Sequence, residues 1–157
     1  MFKILFICTD NIGRSLTAEY LLKNWLLKNN RRGIEVASAG IEADSDISSY
    51  CLAHMDRLGE MGIDVSGHKR TQLTQELLED CDLAIAMEIE QQKWIMDNLG
   101  LDSLLYNEIC KGEKSSFYIS APGSEGTMPE KLLKMVEYFE DSLPIMMRKI
   151  DKLRNKL

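Results

Sequence analysis

Residues 3–22 read KILFICTDNIGRSLTAEYLL. The run 2–7 is apolar apart from Lys3, as in a strand buried on both faces of a parallel sheet. Cys8 ends it, and Thr9, Asp10, Asn11, Ile12 and Gly13 lead on to Arg14 and Ser15. From Ser15 to about Asn29, the apolar residues Ala18, Leu21, Leu22, Trp25 and Leu26 recur at helical spacing. The unit is a strand, a short loop and a helix, with a cysteine where the loop starts and an arginine where it ends.

The rest of the chain repeats the alternation. GIEVASAG (33–40) predicts a second strand closed by a small-residue turn, and 47–62 a helix ending at Gly62. TQELLEDC (74–81) predicts a short helix with Thr74 as N-cap. DLAIAM (82–87) is a third buried strand, 88–98 a helix ending at Gly100, and SLLYN (103–107) a weaker fourth strand. A loop holding Pro122 and Pro129 follows, and a last helix runs from about Met128 to near the end. No repeat, low-complexity run or linker interrupts the pattern. The expectation is an α/β fold: one three-layer domain over 1–157, a parallel sheet of four strands with helices on both faces. In such sheets ligands bind beyond the carboxyl ends of the strands, which is where Cys8 falls.

At 157 residues, with 45% hydrophobic and 28% charged residues, the chain can bury one ordinary core. Its net charge of −6 argues against a nucleic-acid partner. No apolar run approaches the roughly 20 residues of a membrane span. The N-terminal run is too short for a secretion signal, so a cytoplasmic protein is expected. Cys8, Cys51, Cys81 and Cys110 form no C-x-x-C pair, and with His54 and His68 they give no zinc spacing. No metal or cofactor is expected. Cys51, Cys81 and Cys110 read as reduced packing residues, Trp25 and Trp94 as packing aromatics, and the basic tail 148–157 as a solvated helix face. A monomer or weak dimer is expected.

The chemistry lies in the loop. Unpaired N–H groups at a helix start carry partial positive charge, and successive loop N–H groups can form an anion nest. The same field can lower a thiol pKa from about 8.5 into the range of roughly 3.5–7.5. Arg14 can grip two phosphate oxygens with its planar fork, and Ser15 can donate to the sulfur. One loop could therefore bind a phosphate and attack it. C-x5-R alone arises easily by chance; its place between a strand and a helix gives it weight.

ILFICTDNIGRSLTAEYLL resembles the opening of the low-molecular-weight protein tyrosine phosphatases. VASAG (36–40), GIDVSGHKRTQLT (62–74) and CDLAIAME (81–88) resemble that family's segments in the same order. The resemblance implies a four-stranded parallel sheet and metal-free chemistry through a cysteinyl phosphate. It makes Cys8 the nucleophile, Arg14 the phosphate clamp, residues 9–13 the phosphate loop, and Asn11, Ser15, Ser38 and His68 its supporting network. Read alone, Asn11 suits a left-handed turn residue, and His68 reads as structural rather than proton-transferring.

Five departures stand out. The family carries an Asp-Pro pair before its last helix, the Asp protonating the leaving phenolate; here the pair is Ala121–Pro122. The aromatic residues that often follow are replaced by Gly123 and Ser124. Glu125 could substitute as the acid, although a solvated carboxylate is the plainer reading. Asp10 replaces a common glycine, its charge expected to face outward, and Gly13 replaces a second cysteine that can protect the first in a disulfide. Glu88 stands where Asp is common. Three functions follow: a phosphatase of phosphotyrosine or other aryl phosphates, slowed by the missing acid; a phosphate- or phosphoprotein-binding pseudophosphatase; and, least supported, an arsenate reductase. The last needs two relay cysteines, and Cys81 lies at the wrong end of the third strand.

Overall fold

The computed structural model describes residues 1–119 and 126–156. The order is β1 (Phe2–Cys8), α1 (Arg14–Lys28), β2 (Ile34–Gly40), α2 (Ala53–Glu60), α3 (Gln75–Asp80), β3 (Leu83–Ala86), α4 (Ile89–Leu99), β4 (Leu104–Leu105), α5 (Tyr106–Lys111) and α6 (Met128–Arg154). The strands form one parallel sheet in the order β2-β1-β3-β4.

The period of two along β1 sorts its side chains onto opposite faces. Ile4, Phe6 and Cys8 join a core with Leu16 and Leu22 of α1 and Phe139 and Met146 of α6. Leu5 and Ile7 join a second core with Leu78 of α3 and Ile95 of α4. Both faces of β1 are covered from Ile4 onward, which is why that part of its sequence is apolar without alternation. The chain leaves β1 toward β2 on one side and later returns to β3 on the other. That reversal opens a crevice at the carboxyl end of β1, where Cys8 and the next residues lie.

Two expectations are corrected. The helix read over 47–62 is α2, confined to Ala53–Glu60. Before it, Asp46 accepts from the Ser48 N–H at 2.9 Å and the Ile47 carbonyl from Tyr50 N–H at 3.0 Å. These local side-chain and turn bonds compete with helix formation. The fourth strand, read over 103–107, stops at Leu105, and Tyr106–Lys111 form α5 where a loop was expected. Tyr106, Ile109 and Cys110 are buried at helical spacing, Glu108 accepts from the Leu105 N–H at 3.2 Å, and Gly112 closes the turn at φ 73°. Thr74 caps α3 as read, accepting from the Leu77 N–H at 3.2 Å. Trp25 and Trp94 pack half-buried against the two cores. Ala121, Pro122, Gly123, Ser124 and Glu125 lie outside the described residues.

Candidate active site

β1 delivers the Cys8 thiol to the start of α1, where Sγ lies 2.9 Å from the Ser15 hydroxyl. The direction of that bond follows from its neighbours. Asn11 Nδ2 can only donate, and it donates to Ser15 Oγ at 2.8 Å and to Ser38 Oγ at 2.8 Å. Ser15 therefore keeps its one hydrogen for the sulfur. Ser38 donates onward to Glu19 at 2.5 Å, and Glu19 pairs with Lys23. Asn11 Oδ1 accepts from the Thr71 N–H at 2.8 Å, so every polar atom of this buried amide is used. Its φ of 57° is left-handed, which asparagine tolerates.

The backbone from Cys8 to Gly13 has each of its carbonyls engaged by the surrounding protein. Cys8 and Thr9 carbonyls accept from Ile41 and Glu42 N–H at 3.0 and 2.8 Å. The Asp10 carbonyl accepts from Arg70 Nε at 2.9 Å, Asn11 from His68 Nε2 at 2.8 Å, and Ile12 from His54 Nε2 at 2.7 Å. The Gly13 carbonyl takes the Thr17 N–H and hydroxyl at 3.0 and 2.8 Å. A trans peptide points its N–H opposite its carbonyl. Among the described residues, none of the N–H groups of Thr9 to Gly13 has a hydrogen-bond acceptor. The carbonyls are bound outward and the donors are left for an anion.

This close winding needs glycine at 40. A Cβ there would lie 2.6 Å from the Thr9 carbonyl oxygen and 2.9 Å from the Asn11 nitrogen. Gly13 is different: its Cβ would meet Ile119 at an ordinary 3.5 Å, so the backbone does not require glycine there.

Arg14 opens α1. It donates to the Phe117 carbonyl at 2.7 Å and pairs with Glu88 at 2.7 Å, both side chains largely buried. Glu88 is held by Gln91, which also donates to the Thr9 hydroxyl at 3.1 Å. The junction of β3 and α4 thus grips both ends of the loop.

A cavity of about 460 Å³ opens over Cys8 and Arg14, walled by Ile12, Tyr50, Leu52, Ile119, Met128 and Leu132. Asp10 turns its carboxylate to the hydroxyls of Ser45 at 2.6 Å and Tyr50 at 3.1 Å. Cys51 packs against the core as read, and also lines this cavity. Burial holds the His54 imidazole pKa below its ordinary 6.5, which favours the neutral ring. Among the described residues, no cluster of His, Cys, Asp or Glu could hold a metal ion.

Cys8, Asn11, Arg14, Ser15, Ser38 and His68, expected at one site, come together there. Glu19, His54, Arg70 and Gln91 join them and were not foreseen. Only His54 carried a signal, as one of the chain's two histidines.

Residues 3–104 match the sequence profile described as low molecular weight phosphotyrosine protein phosphatase. The chain is 39% identical over 92 residues to a low molecular weight protein-tyrosine-phosphatase of Acinetobacter johnsonii, across 59% of this chain and 61% of that one. It is 32% identical over 148 residues to a probable low molecular weight protein-tyrosine-phosphatase of Ralstonia solanacearum, across 94% of this chain and 90% of that one. The solved structure of the YwlE arginine phosphatase with a phosphorylated active-site serine superposes with a TM-score of 0.75 at 25% identity, covering 99% of this chain and 97% of that one. A relative matched over nearly the whole chain, a matching profile and a shared fold agree: the chain belongs to the low molecular weight phosphotyrosine protein phosphatases, cysteine-dependent hydrolases of phosphorylated substrates.

Proposed function

We propose that this chain hydrolyses aryl phosphate monoesters, phosphotyrosine in a protein above all, through a phosphocysteine on Cys8. The observation that carries the reading is the loop itself: carbonyls bound outward from Cys8 to Gly13, free N–H groups, and a thiol beside the start of α1. The donors of Thr9, Asp10, Asn11, Ile12 and Gly13 hold the equatorial oxygens, and Arg14 adds a planar fork. Cys8 Sγ attacks phosphorus as the ester P–O bond breaks, and the phenolate leaves. Water then attacks the phosphocysteine, releasing phosphate, and the Ser15 hydroxyl stabilises the departing thiolate. Asn11, Ser38 and His68 keep the loop wound. The chemistry needs no metal or cofactor.

The cavity wall favours an aromatic substrate. Ile12, Ile119, Met128 and Leu132 offer apolar contact, and Tyr50 a ring face, where a phenyl ester would sit. Asp10 is occupied by Ser45 and Tyr50 and leaves the anion site to the donors.

Turnover is slow on ordinary esters, because Ala121 stands where the family carries its acid. A positioned acid is worth about 10²- to 10⁴-fold. Hydrolysis of p-nitrophenyl phosphate, whose leaving group barely needs a proton, should exceed that of phenyl phosphate by a wider margin than in a relative with the Asp. Cys8→Ser abolishes both. Glu125→Gln tests the substitute acid: loss of the basic limb of the pH profile assigns it, and an unchanged profile excludes it. The same Ala121 supports a second reading, a pseudophosphatase that reads phosphoproteins. Vanadate binding without any turnover would select it.

A further inference from the structure

The chain has two histidines, and both bind the same loop. His68 Nε2 lies 2.8 Å from the Asn11 carbonyl, and His54 Nε2 lies 2.7 Å from the next carbonyl, that of Ile12. They come from separate segments: His54 lies in the first turn of α2, and His68 follows it by fourteen residues, ahead of α3. We propose that His54 is a second positioning residue of the phosphate loop. By donating its Nε2–H to the Ile12 carbonyl, it turns the Gly13 N–H toward the anion, as His68 does for the Ile12 N–H.

The inference rests on the phosphatase reading of the loop, and it goes beyond that reading in assigning work to α2. A trans peptide is a rigid plane, so fixing its carbonyl fixes the following N–H. Two neighbouring peptides, each held by its own ring, cannot flip freely. The His54 ring is buried, and its Nδ1 has no hydrogen-bond partner among the described residues. A carbonyl accepts only, so Nε2 must carry the hydrogen, and in the neutral ring Nδ1 is then a bare acceptor. An aliphatic side chain of similar bulk would fill the space without burying an unpaired acceptor. The position therefore carries a cost that packing does not require, and the one polar contact received in return is with the loop. His54 also lines the cavity over Cys8, so the carbonyl it holds belongs to the wall of the site. α2 packs on α6 and α1, which makes it a firm anchor for the ring.

The test compares His54→Leu with His54→Gln. Leucine keeps apolar bulk, loses the donor and removes the unpaired acceptor. Glutamine can bring an amide N–H to nearly the same place. His54→Leu should weaken vanadate binding and lower kcat on p-nitrophenyl phosphate by about tenfold, the worth of one hydrogen bond, while its melting temperature holds or rises. His54→Gln should restore both to within about threefold. A purely structural histidine would instead move stability and activity together. Vanadate binding unchanged in His54→Leu, or equal losses in both variants, overturns the proposal. Imidazole nitrogen NMR of the ligand-free protein gives an arm that needs no turnover, with His54→Gln assigning the signal. The Nε2–H tautomer is expected, and the Nδ1–H tautomer would overturn the assignment. A wild-type protein that shows this tautomer but neither binds vanadate nor turns over would sink the phosphatase reading separately.

Discussion

Arg14 has five N–H donors and spends two of its bonds on the protein. The Phe117 carbonyl meets Nη1 and Glu88 meets Nη2, leaving the remaining N–H groups of the fork for phosphate. Glu88 therefore sets the aim of Arg14 and also competes for its charge. Glu88→Gln should lower kcat by about tenfold through lost alignment, while inorganic phosphate binds more tightly as a product inhibitor. Steady-state inhibition kinetics separate the two effects, and an unchanged kcat would show that the aim is set elsewhere. At this scale the contiguous part of the site was legible. Cys8, Arg14 and Ser15 share one short segment, and Asn11 has the chemistry of a left-handed turn. Glu19 was hidden because it interrupts an apolar stripe like any solvated carboxylate, yet it is buried under Ser38 and Lys23. Arg70 and Gln91 reach the loop only through the tertiary fold, and no local pattern joins residue 91 to residue 9.

The elements around the loop were legible where the period was clean. β1 and α1 follow directly from an apolar run and a helical stripe. α2 and α5 were misjudged because Asp46 and Ser48 prefer a local turn, and because the first apolar residues after β4 serve both patterns. The end of β2 shows how tightly an element is bound to the site. Gly40→Ala would drive a Cβ into the Thr9 carbonyl at 2.6 Å, so the loop must shift. The expected cost is about 1–3 kcal/mol in stability, with kcat/KM down about ten- to a hundredfold. Urea unfolding and steady-state kinetics measure both. Thr74→Ala gives the contrast, since the hydroxyl it removes caps α3 rather than holding the loop. It should cost about 1 kcal/mol in the same unfolding assay and leave kcat unchanged.

Across the whole molecule, the strand order β2-β1-β3-β4 puts the loop at the point where the chain changes direction, between two cores. The fold and the site are one arrangement, and the stability of the protein should register the state of His54. Burial depresses its pKa below the ordinary 6.5, so the unfolded chain takes up a proton before the folded protein does. The stability held by the neutral ring is full above that value and falls as pH drops through the folded pKa. Urea midpoints from about pH 7 down to about pH 5 should therefore fall more steeply in the wild type than in His54→Gln. Parallel slopes would mean the ring titrates freely in the folded state.

The central claim is that Cys8, within its ring of outward carbonyls, becomes phosphorylated and is then hydrolysed. Intact-protein and peptide mass spectrometry on quenched samples during p-nitrophenyl phosphate turnover tests it directly. The account predicts one added phosphoryl group on the peptide containing Cys8, appearing and decaying with turnover and absent from Cys8→Ser. Turnover that persists in Cys8→Ser, or a phosphoryl group on any other residue, would contradict it.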